Sequence, residues 1–141
     1  LGAFASPSEQ GPVAARRADI DRTFKADTVE AILRNLDKTA GEAADWAKAT
    51  AAVIRSRSPT SLKIALEQVR RGAKLSFEDC MKTEYRIVSR VVHGHDFYEG
   101  VRAVIVDKDN APRWQPATLA EVGVADVARY FEPVTDELVL P

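Results

Sequence analysis

Two histidines and two carboxylates lie close together near residue 95 and are the first candidates for chemistry. His93 and His95 flank Gly94, and Asp96 and Glu99 follow. A structural zinc site needs about four ligands at short range, and acid–base catalysis needs two positioned proton carriers. The spacing of Asp96 and Glu99 is also that of a capping box at a helix start. We therefore expect helix capping here, with no metal site and no catalytic pair.

The single cysteine, Cys80, is a candidate nucleophile. A cysteine nucleophile needs a base beside it, and no histidine stands at a local spacing that would supply one. We expect Cys80 to be a partly buried apolar side chain next to Met81 on a helix. A lone cysteine cannot form an internal disulfide, which indicates a reducing compartment.

Composition excludes several classes of partner. The chain has 141 residues, a net charge of −1, 45% hydrophobic and 29% charged residues. These values indicate one globular domain and give no electrostatic reason to expect nucleic acid or an anionic membrane. No apolar run approaches the ~20 residues of a membrane span, and no signal peptide is recognisable.

Apolar residues at helical spacing predict an all-α fold of about seven helices. The expected helices cover residues 13–25, 29–36, 42–57, 59–72, 76–92, 97–105 and 124–131. Ser58, Ser76 and Thr118 are expected N-caps, as is Asp27 with Glu30 three residues later. No strand is expected in residues 42–92. Residues 1–12, rich in Gly, Pro and Ser, are typical of a linker.

The segment 76–92 has the most regular apolar stripe. Phe77, Met81, Tyr85, Val88 and Val92 lie on one face, which predicts the longest or second-longest helix with that face buried. Under full burial, Tyr85→Ala costs about 3–5 kcal/mol. The other expected buried faces are Val29, Ile32, Leu33 and Leu36; Trp46, Ala49, Val53 and Ile54; and Leu62, Leu66 and Val69.

The segment after His93 predicts a short buried helix. Gly94 is expected to end the preceding helix in the left-handed conformation. Phe97, Val101, Val104 and Ile105 then form one apolar face.

Six motifs, in one order along the chain, carry a resemblance to a known family. They are Ser58-Pro-Thr-Ser-Leu-Lys63, Glu84-Tyr-Arg86, Gly94-His-Asp-Phe-Tyr-Glu-Gly-Val-Arg-Ala103, Asp107-Lys-Asp109, Pro112-Arg-Trp114 and Pro116-Ala117. Together they resemble the C-terminal part of 3-hydroxyisobutyryl-CoA hydrolases, in the enoyl-CoA hydratase/isomerase (crotonase) superfamily. The resemblance covers residues 20–122 and is specific over residues 58–116.

The resemblance implies that residues 13–141 are a helical C-terminal region that follows a crotonase-type α/β core in the whole enzyme. That enzyme would hydrolyse a branched 3-hydroxyacyl-CoA to the free acid and CoA, a step in valine breakdown. Such chemistry needs an oxyanion hole and a carboxylate base. No Gly-rich oxyanion segment is recognisable, so we assign no catalytic residue to this chain and expect it to be inactive alone.

Five residues are candidates for contact with the acyl-CoA, which is a substrate and implies no separate cofactor. Arg102, Lys108 and Arg113 suit CoA phosphates, but they could equally pair with Glu99, Asp107 or Asp109. Trp114 could stack on adenine or pack a loop onto the core. Phe97 is the fifth candidate. For Lys63, too, contact with the acyl-CoA and an ordinary structural role are both open.

The resemblance also implies partners and a location. We expect the chain to be part of a longer enzyme, with the α/β core as a covalent or separate chain, and to form a homo-oligomer. The apolar face of Phe97, Val101 and Ile105 and the tail at residues 138–140 should then contact another chain. The expected location is cytoplasmic, or the mitochondrial matrix in a eukaryote. The alternatives are an enoyl-CoA hydratase or isomerase, and a non-catalytic helical interaction module.

Overall fold

The computed structural model describes residues 11–140, so expectations for residues 1–10 and 141 fall outside it. The described part contains helices and turns and no strand, which confirms the all-α prediction. Its α-helices are α1 (Pro12–Ala15), α2 (Arg17–Phe24), α3 (Val29–Asp37), α4 (Ala44–Arg55), α5 (Pro59–Gly72), α6 (Phe77–Val91), α7 (His95–Val101) and α8 (Val124–Ala128). Pro12, expected in the linker, is instead the first residue of α1.

Shorter helical turns connect these elements. They are the 3-10 turns Gly41–Ala43, Leu119–Glu121 and Arg129–Phe131 and a π-helical turn, Arg102–Val106. The chain divides into two compact units between Ala52 and Val53, inside α4, whereas its length suggested one domain.

The core of the first unit follows from the α3 pattern. Val29, Ile32, Leu33 and Leu36 are all buried, as predicted. The expected cap was off by one residue, because Thr28, not Asp27, accepts a hydrogen bond from the N–H of Ala31 at 3.1 Å.

Two other expectations in the first half of the chain were wrong in detail. The helix expected over residues 13–25 is interrupted at Arg16, which separates α1 from α2. On α4 the buried residues are Ala47 and Ala51, not the predicted face with Ala49. An alanine-rich helix is apolar around much of its circumference, so its spacing cannot locate the buried side.

The second unit begins with two serine caps that the sequence predicted. The hydroxyl oxygen of Ser58 accepts a hydrogen bond from the N–H of Ser61 at 3.2 Å, and that of Ser76 accepts one from the N–H of Asp79 at 3.1 Å. With 15 residues, α6 is the longest helix in the described chain, as expected.

The core of the second unit joins α5 and α6 to the segment that ends the fold. Its buried members are Ile64, Val122, Val127, Tyr130 and Phe131, with Ile87 and Val91 of α6 packed against them. The guanidinium of Arg71 lies 4.2 Å from the centre of the Phe131 ring, an additional cation–π contact. On α5 the buried residues are Pro59 and Ile64, whereas the predicted Val69 is exposed.

The apolar stripe of α6 does not form this core. Phe77 is 73% exposed and Val88 is also exposed, so the predicted burial of these two residues was wrong. Met81 and Tyr85 are half-buried. The cost expected for Tyr85→Ala assumed a burial that the fold does not provide. Core contacts of α6 come from Ile87 and Val91 on a neighbouring face.

The C-terminal tail is held along α6 by two arginines. Arg86 donates from Nε and Nη2 to the carboxylate of Glu137 at 2.6–3.0 Å, and Arg90 donates to the carbonyls of Glu132 and Pro133. The Arg86 hydrogen bond lowers the pKa of Glu137 below its usual value. The tail residues Leu138 and Leu140 are half-buried and Val139 is exposed.

The contrast between two phenylalanines of this unit provides a stability test. Phe131→Ala removes a ring that is 6% exposed and should cost about 3–5 kcal/mol in the free energy of unfolding. Phe77→Ala is the matched control and should change that free energy by less than about 0.5 kcal/mol. Urea denaturation followed by circular dichroism measures both. A large loss for Phe77→Ala would show that the α6 stripe is covered in the free chain.

Candidate functional site

The start of α7 differs from the predicted capping box. Gly94 is the N-cap with φ of −85°, an extended conformation and not the expected left-handed one, and the helix begins at His95. Asp96 is therefore the second helical residue, and its carboxylate does not cap α7. The carboxylates of Asp96 and Glu99 reach instead to other segments.

Asp96 joins three segments of the unit. Its carboxylate accepts hydrogen bonds from the hydroxyl of Ser58 at 2.5 Å and from the backbone N–H of Gln115 at 2.8 Å, and lies 3.1 Å from Nδ1 of His95. Ser58 also caps α5, so Asp96 fixes the start of α5 relative to α7 and to the loop at Gln115. Its side chain is largely buried. These contacts indicate a structural role for Asp96, which holds three segments together, and not a role as acid or base.

Glu99 lies about one helical turn after Asp96 and holds the same loop, at Arg113. Its carboxylate accepts two hydrogen bonds from the guanidinium of Arg102, at 2.8 and 2.9 Å, and one from the backbone N–H of Arg113 at 2.7 Å. The Arg102 contact, followed by the Arg113 N–H, lowers the pKa of Glu99 to about 2. Glu99 is consequently a charged anchor across the ordinary pH range.

Arg102 is the centre of a cluster of carboxylates. Besides Glu99, its guanidinium donates to Asp107 at 2.6 Å, to Asp109 at 2.7 Å and to the carbonyl of Ala111 at 3.2 Å. We call Arg102 with Glu99, Asp107 and Asp109 the Arg102 cluster. Its contacts are the ion pairs that the sequence left open as the alternative to phosphate binding.

The Arg102 cluster stabilises an unusual backbone. The π-helical turn Arg102–Val106 ends with a hydrogen bond from the N–H of Asp107 to the carbonyl of Arg102 at 2.8 Å. Lys108 and Asn110 then adopt positive φ, 56° and 52°, a conformation that costs about 1 kcal/mol or more for a residue other than glycine. The side chain of Lys108 is exposed and has no acidic partner among the described residues.

Trp114 packs the loop against two helices. Its indole N–H donates to the carbonyl of Ser56 at 3.0 Å, just before α5. Its ring covers Gly100, where an added Cβ would lie 3.4 Å from the indole. Of the two roles considered for Trp114, packing a loop onto the rest of the unit is the one that these contacts correspond to. The side chain of neighbouring Arg113 is exposed.

These contacts build one wall of a groove of about 540 Å³. The groove is lined by Ser58, the N-cap of α5, by Ile64 of α5, by residues of α7 and its π-helical turn, and by Trp114 and Tyr130. Arg57 and Arg129 also line it, and the guanidinium of Arg129 is 5.2 Å from the Tyr130 ring centre. Its volume is in the range of small-molecule pockets.

The predicted short helix is present as α7, but its predicted burial was wrong, because the apolar face of α7 and the π-helical turn after it is exposed. Phe97 is 43% and Ile105 is 63% exposed, and Val101 and Val104 are exposed as well. The residue buried here is Ala103, with no accessible surface. The exposed face agrees with the expectation that these residues lie against another chain, and it does not identify that chain.

Other sequence candidates occupy ordinary positions. Among residues 11–140, no group of three or more His, Cys, Asp and Glu side chains is arranged to hold a metal ion. Cys80 is half-buried, with its sulfur 3.8 Å from the carbonyl of Gly72. Lys63 donates to the carbonyl of Val122 at 3.0 Å. Within the described chain, no helix is both long enough and apolar enough to cross a membrane.

Sequence reasoning missed how Ser58, Gln115, Arg57 and Arg129 contribute to the site. Ser58 was predicted as a helix cap, but its partner Asp96 lies 38 residues away. Gln115 contributes only its backbone N–H to Asp96, which leaves no trace in residue type. The sequence signal that could have helped was the resemblance itself, since Ser58, Asp96 and Trp114 all belong to its motifs.

Comparison with known proteins identifies the family. The profile of the enoyl-CoA hydratase/isomerase family matches residues 2–131. The chain belongs to this family. It is 42% identical over 117 residues to the mitochondrial 3-hydroxyisobutyryl-CoA hydrolase of Danio rerio, covering 83% of this chain and 30% of the relative. It is 43% identical over 133 residues to 3-hydroxyisobutyryl-CoA hydrolase 1 of Arabidopsis thaliana, covering 89% and 35%.

Solved structures share the fold. The carnitinyl-CoA dehydratase of Mycobacterium thermoresistibile matches 99% of this chain with a TM-score of 0.87 and 44% identity, and the match covers 39% of that protein. The enoyl-CoA hydratase of Rhodobacter sphaeroides 2.4.1 matches 99% with a TM-score of 0.82 and 31% identity, covering 42%. The chain thus spans less than half the length of each relative.

A double-mutant cycle tests whether Asp96 couples α5 to α7. Ser58→Ala and Asp96→Ala should show a coupling free energy of about 1–3 kcal/mol, because they share a buried charge-assisted hydrogen bond. Ser76→Ala with Asp96→Ala is the control, since Ser76 is an N-cap that does not contact Asp96. That pair should be additive within about 0.5 kcal/mol. Equal coupling in both cycles, measured by urea denaturation, would contradict the proposed link.

The Glu99 anchor should give the loop a specific acid dependence. The pKa of Glu99 in the folded chain, about 2, lies below its ordinary value of 4.5. The anchor therefore stabilises the loop fully above pH 4.5 and is lost as the pH falls towards 2. In a Trp46→Phe background, Trp114 fluorescence should change over this interval, and Glu99→Gln should weaken that change.

A second glutamate provides the control for this titration. Glu121 also has a lowered pKa, because of its hydrogen bonds to Thr118 and Ala117, and neither partner is Arg113, the residue whose N–H Glu99 holds. Glu121→Gln should leave the Trp114 titration unaltered. A Glu99→Gln profile identical to that of the parent would show that Glu99 does not hold the loop.

Proposed function

We propose that this chain forms the helical C-terminal part of a CoA-thioester hydrolase that acts on 3-hydroxyisobutyryl-CoA or a closely similar branched 3-hydroxyacyl-CoA. The observation that carries the proposal is its 42–43% identity to 3-hydroxyisobutyryl-CoA hydrolases of animals and a plant, over more than 80% of the chain. The reaction places the enzyme in valine breakdown, in the cytoplasm or, in a eukaryote, in the mitochondrial matrix.

In this proposal the catalytic groups belong to the α/β core, as a covalent or separate chain. Thioester hydrolysis needs oxyanion donors and a base that activates water. In the described chain, the two carboxylates of α7, Asp96 and Glu99, are committed to holding α5 and the loop. The helical part covers or completes the site of the core, and segment 93–114 lies against it. The exposed apolar face of α7 supports this arrangement.

Two cations are the residues we propose for contact with CoA phosphates. Lys108 and Arg113 carry exposed side chains without an acidic partner in the described chain, and their charges suit phosphate. Arg102 and Trp114 serve the substrate indirectly, by fixing the loop that carries these cations, and Phe97 lies at the boundary with the core. CoA is needed as part of the substrate, without a separate cofactor, and the assembled enzyme is a homo-oligomer.

A hydratase or dehydratase is the second candidate. It is favoured by the 44% identity to the carnitinyl-CoA dehydratase over 99% of this chain. The two candidates share a CoA substrate and differ in the reaction at the acyl group. The core determines that difference, so assays of the whole protein must decide it.

Activity assays of matched preparations test the proposal. The 141-residue chain alone should release no CoA from 3-hydroxyisobutyryl-CoA, because it lacks a recognisable oxyanion segment. The natural protein that contains both this chain and the α/β core should release CoA, detected by a thiol reagent, and should not hydrate crotonyl-CoA at a comparable rate. Lys108→Gln should raise KM for the thioester with little change in kcat, whereas Lys74→Gln, at an exposed lysine outside the groove, should change neither.

Three outcomes would count against this assignment. Thioester hydrolysis by the isolated chain, free of contaminating enzyme, would overturn its predicted inactivity. Efficient hydration without CoA release would favour the second candidate. An unchanged KM in Lys108→Gln would remove Lys108 from the substrate contacts.

A further inference from the structure

The groove of α7 is lined by apolar side chains and by two arginines. Its apolar lining includes Phe97, Val101, Val104 and Ile105, all of them exposed. Arg57 and Arg129 border it, and neither guanidinium has an acidic partner among the described residues. The lining carboxylate, Asp96, is already bound by Ser58, His95 and Gln115. An occupant with both apolar groups and a carboxylate would complement this surface.

The extent of the apolar surface favours a protein segment over a small molecule. Exposed apolar side chains continue past the groove to Tyr98 and Val106. A small molecule within about 540 Å³ would leave these side chains in water. Contiguous apolar surface marks interaction sites in general, and its extension beyond the groove to Tyr98 and Val106 favours a protein partner.

A second copy of the chain is a poor occupant. In a two-fold contact the same patch faces itself, so two cationic patches would meet while the one lining carboxylate, Asp96, is already bound within its own copy. The matched length points elsewhere, because the chain spans only 30% of the Danio rerio hydrolase and 42% of the Rhodobacter sphaeroides structure. More than half of each relative lies outside the match.

We propose that the groove binds an apolar segment of the α/β core that carries an aspartate or glutamate, whose carboxylate pairs with Arg57, Arg129 or both. This rests on the proposed function, in which the chain lies against such a core, and adds the chemistry of the contact. The apolar residues supply most of the buried area. The arginines select an acidic partner and fix its register, because an unpaired arginine at an apolar interface is unfavourable.

Photocrosslinking in the complete natural protein tests the contact directly. A p-benzoylphenylalanine in place of Ile105 should crosslink, on irradiation, to a peptide of the core with Asp or Glu within a few residues of the attachment point. The same probe in place of Val69 is the control, since Val69 is 74% exposed on α5 but does not line the groove. It should not capture that peptide. Arg57→Gln with Arg129→Gln should lower the Ile105 yield several-fold, whereas Arg34→Gln, outside the groove, should not.

Each contrary outcome overturns the proposal. These are a crosslink to a second copy of the chain, a crosslink to a core peptide without an acidic residue, a yield no higher than at position 69, and a yield insensitive to the two arginines. CoA release from 3-hydroxyisobutyryl-CoA by the same preparation separates the two proposals. Hydrolysis without the crosslink refutes the contact alone, and the crosslink without hydrolysis refutes the hydrolase assignment alone.

Discussion

The local structure depends on two carboxylates of one short helix that accept backbone N–H groups from one loop. Asp96 accepts the N–H of Gln115 and Glu99 accepts that of Arg113. A loop without regular structure must find partners for its backbone polar groups, and α7 provides them three residues apart, on one face. The N–H groups two residues apart in the loop match that spacing. Trp114, between them, is thereby directed towards Gly100 and Ser56.

This arrangement reverses the usual distribution of side-chain size on α7 and the π-helical turn that follows it. Small residues face the unit's own interior, since Ala103 is buried and Gly100 lies under the Trp114 ring. The large apolar residues, such as Phe97 and Ile105, face outward. A helix that served only its own unit would gain more by burying its large side chains. The side with small residues packs closely within the unit, and the opposite side exposes large apolar side chains. This combination suits a helix that lies between two partners.

The features predicted correctly were those encoded locally. Serine caps at Ser58 and Ser76 and the α3 face depend on residues within one or two helical turns, and these were found as expected. The errors concern what lies against a helix. Apolar spacing marks the α6 stripe that includes Phe77 but does not indicate whether a partner covers it, and here the core contacts come from Ile87 and Val91. The contact from Ser58 to Asp96 spans 38 residues and that from Arg86 to Glu137 spans 51, beyond any local pattern.

The Arg102 cluster decides which cations suit a phosphate. Glu99, Asp107 and Asp109 place three negative charges around one guanidinium, and the pKa of Arg102 is raised by them. A phosphate approaching Arg102 would meet repulsion from these carboxylates and would have to displace hydrogen bonds of 2.6–2.9 Å. Repulsion of this kind acts at short range even in salt. Lys108 lies in sequence between two of these carboxylates, yet both are engaged by Arg102, which leaves its ammonium free. Sequence assigned Arg102 and Lys108 the same role, but the fold makes Arg102 the residue that shapes the loop and Lys108 the charge that the loop presents.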